Sequence, residues 1–111
     1  MKLLVLVLNR TEKFEMLLKT LASNNITGAT IISSKGMAHE LMANNDLGIL
    51  GSFRHLLDDS HKESKTMFMV TEENKVPFII EVVESVVGSL NIPDTGILFT
   101  VPVDYTRGFK N

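Results

Sequence analysis

Two amphipathic stripes, each set between a pair of short apolar runs, constrain this chain more than any other feature. The first stripe is Phe14, Leu17, Leu18, Leu21 and Ala22, spaced as one face of a helix from Thr11 to Asn24. Asn9 and Thr11 are its candidate N-caps. The second is Val76, Ile79, Ile80, Val83, Val87 and Leu90, a helix from about Lys75 to Leu90 with Pro77 in its first turn. Proline is tolerated there because its missing N–H breaks no internal bond. Around the stripes, KLLVLVL (2–8), GATIISSK (28–35), KTMFMVT (65–71) and GILFTVPV (96–103) read as strands. The resulting order is β-α-β-β-α-β. It predicts an α+β, ferredoxin-like sandwich: an antiparallel four-stranded sheet with both helices on one face. At 111 residues the chain fits one domain, spanning 1–111.

In such a fold the helix-free face of the sheet turns polar where it meets solvent. Here the first, third and fourth strands stay apolar on both faces, notably Leu3 to Leu8, Met67 to Val70 and Ile97 to Phe99. Exposed patches of that extent are rare on monomers, so the pattern predicts a homo-oligomer built through the open face.

The remaining composition removes whole classes of function. There is no cysteine, hence no disulfide, thiolate metal site or cysteine nucleophile. A net charge of −2 gives no basic surplus for nucleic acid. The longest apolar run, Leu3 to Leu8, is too short for a transmembrane segment or a signal peptide, so the expected location is cytoplasmic. No G-x-S-x-G elbow is present, the acidic pairs Asp58-Asp59 and Glu72-Glu73 sit in helix-end and turn contexts, and Arg10 lacks the glycine-rich loop of an acylphosphatase. The expectation is a non-enzyme.

Between the second and third strands lies a connection of 29 residues, Gly36 to Ser64, a length that is usually functional or disordered. It reads as a partly packed loop, with a short helix at Ser52 to Leu57 capped by Ser52 and a mobile part around Ala43 to Asp46. His39, His55 and His61 fall in it, with Asp58 and Asp59 between the last two. Phosphate binding requires clustered backbone amides, glycines and a cation. Gly28 with Thr30, Gly36, Gly51-Ser52 and Asp94-Thr95-Gly96 are candidates. From Val76 to Thr106 there is no Lys or Arg, so a cation must come from Arg107, Lys110, the long connection or another subunit.

Three segments, Ile26-Thr27-Gly28-Ala29-Thr30-Ile31, Ser34-Lys35-Gly36 and Asp94 to Val103 (DTGILFTVPV), resemble the P-II (nitrogen regulatory) signal-transduction family. The resemblance runs along nearly the whole chain. The long connection falls where that family has its T-loop, and Asp94 to Gly96 where it has its B-loop. The resemblance implies a homotrimer with adenine nucleotide (ATP, ADP or AMP) in clefts between subunits and a loop that engages a partner protein. It implies ligand-binding roles for Gly28, Ala29, Thr30, Gly36, Asp94, Thr95, Gly96, Arg54 and Arg107. Partner contacts would come from loop 37–62, through Met37, His39, Asn44, Asn45, Asp46 and Gly51. The chain departs from the family at several points. Ile97 stands where the B-loop lysine belongs, Pro93 replaces a glycine, Ala38-His39 replaces Gly-Arg, and the C-terminal basic pair is reduced to Arg107, with Lys110 beyond it. The only tyrosine is Tyr105, outside the loop.

The leading expectation is therefore a non-enzymatic, P-II-like regulator that binds a small ligand between subunits. The alternative is a divalent-metal-binding trimer like the CutA family, using His39, His55, Asp59 and His61. An ACT-like amino-acid-binding module is a third class.

Overall fold

The computed structural model describes residues 1–43 and 63–109. Its elements are β1 (Lys2–Leu8), α1 (Phe14–Ser23), β2 (Thr30–Ser34), α2 (Met37–Ala43), β3 (Ser64–Thr71), α3 (Val76–Val87) and β4 (Gly96–Pro102), with single 3-10 turns at Thr11–Lys13 and Glu73–Lys75. The strands form one antiparallel sheet in the order β2-β3-β1-β4. The chain is thus α+β with the ferredoxin-like order expected. No helix among the described residues is long and apolar enough to cross a membrane.

The core forms because period-2 strands meet period-3.6 helices. Leu4, Leu6 and Leu8 of β1 and Met67 and Met69 of β3 point to one side. There they pack with Leu17 and Leu21 of α1 and Ile79, Val82, Val83 and Val87 of α3. The intervening residues face the other way. Register sets Leu3 beside Val70 and Val101, Val5 beside Phe68 and Phe99, and Val7 beside Thr66 and Ile97. On this second face Ile97 remains 57% exposed, Phe99 43% and Val101 42%. Leu3, Val5, Val7, Phe68 and Val70 are half-buried. The two-sided strands thus give an eight-residue apolar face on the helix-free side of the sheet, with Ile97, Phe99 and Val101 of β4 its most exposed members.

Local differences from the sequence reading have local causes. Neither Asn9 nor Thr11 caps α1. The chain enters through the 3-10 turn, whose amides are satisfied by backbone: Thr11 N donates to Asn9 O at 3.1 Å and Lys13 N to Arg10 O at 3.3 Å. Ala22 is exposed, and α1 buries only Leu17 and Leu21 fully. The α3 stripe is rotated to include Val82, and the helix stops at Val87 because Gly88 takes φ 86°, a conformation suited to glycine. Leu90 lies beyond it, its amide donating to the Glu84 carboxylate at 2.8 Å.

β2 is shorter than expected, Thr30–Ser34 rather than 28–35. The start of the long connection is helical where a loop was expected. MAHELMA is built mostly of good helix formers, and Glu40 N donates to Gly36 O at 3.1 Å to open α2. The short helix expected at 52–57 and most of the mobile stretch at 43–46 lie outside the described residues.

Candidate functional site

Strand order decides which candidate residues can meet. β2 and β4 are the two edge strands, on opposite sides of the sheet. Gly28, Thr30 and Gly36 belong to the β2 edge and Asp94, Thr95 and Gly96 to the β4 edge. Three strand spacings separate the edges, roughly 14 Å across, and Thr30 sits three residues, roughly 10 Å, further along the sheet than Gly96. Within one chain the two groups stay apart.

The β2 group gains its cation from the C-terminal segment. Val103 N donates to Met1 O at 3.2 Å, which ties the segment to the start of β1. The chain then runs under the open face towards the start of β2. Gly28, Thr30, Phe68, Val70, Tyr105 and Arg107 consequently line one cavity of about 540 Å³. Its floor is apolar and its rim carries Arg107 and Tyr105, both exposed. Such a cavity offers an apolar bed for a flat ring and one cation for an anionic group. Ala29 is half-buried against the core on the other face. Gly36 follows the far end of β2 and is exposed.

At the β4 edge, the turn before the strand is built by its own backbone. Asp94 adopts φ 67°, Thr95 N donates to Ile92 O at 3.3 Å, and Asn9 N donates to Thr95 O at 3.0 Å. Thr95 is 1% exposed. Gly96 is required sterically: a Cβ there would collide with the Val7 carbonyl oxygen and press on Leu8 Cα at 3.2 Å. The Thr95 amide is engaged within the turn and its side chain is buried, while Asp94 remains exposed.

In the long connection, Met37 opens α2 and is 77% exposed. His39 is half-buried, and its Nδ1 has no hydrogen-bond partner among the described residues. Asn44, Asn45, Asp46, Gly51, Arg54, His55, Asp59 and His61 lie outside the described residues. Among the described residues no group of three His, Asp or Glu side chains is placed to hold a metal ion.

Sequence reasoning missed Phe68, Val70 and Tyr105 as cavity residues. The two-period of a strand puts Phe68 and Val70 on one face, but a run apolar at every position does not say which face is open, and the return of the C-terminal segment beneath the sheet leaves no periodic signal. A scan of the chain against protein-family models finds no match, and a search of the curated proteins finds none either.

Proposed function

We propose that this protein is a non-enzymatic, P-II-like regulator: a homotrimer that binds a small ligand, an adenine nucleotide, in clefts between subunits and contacts a partner protein through residues 37–62. The observation that carries this reading is the division of the candidate ligand residues between opposite edges of the sheet. A cleft that uses both groups needs two copies, with the β2 edge and C-terminal segment of one beside the β4 edge of the next. The open apolar face supplies a reason for the copies to associate, since packing it inward removes Phe99, Ile97 and Val101 from water.

In that cleft the base lies on the apolar bed beside Gly28 and Thr30, and Arg107 pairs with phosphate. The neighbour's Asp94 turn offers few free amides and a carboxylate, which repels a triphosphate unless a divalent ion intervenes. Binding should therefore strengthen little from mono- to triphosphate without magnesium. Calorimetry with AMP, ADP and ATP, with and without magnesium, tests the reading. Arg107→Ala should weaken binding about tenfold or more, the loss of one charge-assisted hydrogen bond. Tight ATP binding that survives Arg107→Ala and Arg54→Ala would overturn the phosphate assignment. No heat from any nucleotide, together with binding of a divalent metal, would favour the histidine-based alternative.

A further inference from the structure

A second cavity lies on the other side of the sheet. β2 begins at Thr30, opposite Phe68, so the last residues of β3, Met69 to Thr71, have no β2 neighbour. The α1–β2 connection diverges there after a left-handed turn at Asn25, φ 63°. The gap is a cavity of about 350 Å³ walled by Ile26, Met69, Phe78, Ile79 and Phe109, with Lys75 at its rim. That volume falls within the range of small-molecule sites.

Two features describe an occupant. The rings of Phe78 and Phe109 stand at the opening and are 46% and 39% exposed, so apolar surface is presented to whatever enters. Among the described residues, Lys75 is the only ionisable side chain of the lining, and no Asp or Glu contributes to it. The ammonium pairs with Glu72 at 3.7 Å, with both side chains substantially solvated, a contact weak enough to yield to a better anion. We propose that this cavity binds a small organic carboxylate with an apolar, ring-sized body: the ring between Phe78 and Phe109 over Met69 and Ile79, the carboxylate on Lys75 Nζ. The site is complete within one chain. It adjoins the proposed nucleotide cleft at the sheet edge, where Gly28, Met69, Val70 and Phe109 line both cavities, but Lys75, Phe78 and Ile79 belong to it alone.

Phenylacetate and the isosteric, uncharged phenylacetamide are the probes, titrated into the full-length protein and followed by amide chemical shifts. Phenylacetate should saturate with shifts confined to Asn25–Gly28, Met69–Thr71, Lys75, Phe78, Ile79 and Phe109, and phenylacetamide should bind about tenfold more weakly. Lys75→Met should reduce the acid to the level of the amide, and Phe109→Ala should weaken both. Lys75 and Phe109 are exposed or half-exposed, so neither change removes core packing. Lys19→Met, a comparably solvated cation on α1, should change nothing, and Arg107→Ala should leave phenylacetate binding intact. Equal affinity for acid and amide, sensitivity to Arg107 in place of Lys75, or no saturation by either probe would overturn the proposal. Sensitivity to Arg107 would instead place the acid in the neighbouring cavity; nucleotide binding is read separately by calorimetry and does not depend on Lys75, so either reading can fail while the other stands.

Discussion

Gly96 and Leu6 show how one position can be held by backbone and another by volume. A side chain at Gly96 meets the Val7 carbonyl, and nothing flexible can move aside. Gly96→Ala should cost about 1–3 kcal/mol, the scale of local backbone strain or overpacking, read as a lower midpoint in denaturant. Leu6 is 1% exposed at the centre of the core, so Leu6→Ala should cost about 2–5 kcal/mol. The glycine was legible in the sequence as part of a turn. Its steric reason was not, because the colliding atom belongs to β1, at the other end of the chain. Gly96 is thus explained by packing whether or not a phosphate ever approaches it.

The elements carried a clear record in the sequence where burial is one-sided. Both long helices follow from periodicity, since Ile79, Val83 and Val87 recur by helical turns. The strands instead read as short apolar runs between turn residues, which did not tell the buried Leu4, Leu6 and Leu8 from their neighbours. Exact ends did not follow, because α1 and α3 are started by 3-10 turns with no side-chain cap bond. Helix α2 was hidden since seven residues within a long connection give too little periodicity to read. Of the candidate ligand residues, Gly28, Thr30 and Arg107 meet in one cavity, a result set by the return of the C-terminal segment. β1 provides a test of its two faces. Val5 is half-buried on the open face and Leu6 fully buried on the helix face. Leu6→Asp should abolish folding, an unpaired core carboxylate costing several kcal/mol. Val5→Asp should keep the folded protomer's circular dichroism while preventing association.

At the scale of the molecule, a trimer predicts a measurable mass. The protein should sediment as about three chains at micromolar concentration, and Val5→Asp as one. A wild-type species near the single-chain mass of 12.3 kDa would leave the apolar open face without the partner copies that account for it. Strand order has another outcome. β1 pairs with β3 and β4, and β2 pairs with β3, so every pairing in the sheet joins a strand before residue 44 to one after residue 62. The helices α1 and α3 meet across the same divide. Among the described residues neither half holds a sheet of its own, and each is the template on which the other folds. Fragments 1–50 and 51–111 should accordingly be unstructured apart and should assemble into a native-like complex when mixed, checked by circular dichroism and co-purification. Because every pairing spans a long stretch of chain, folding of the intact protein should be slow for its size. The same interleaving allows two chains to exchange halves, so concentrated refolding should yield swapped dimers of the protomer fold whose release requires unfolding.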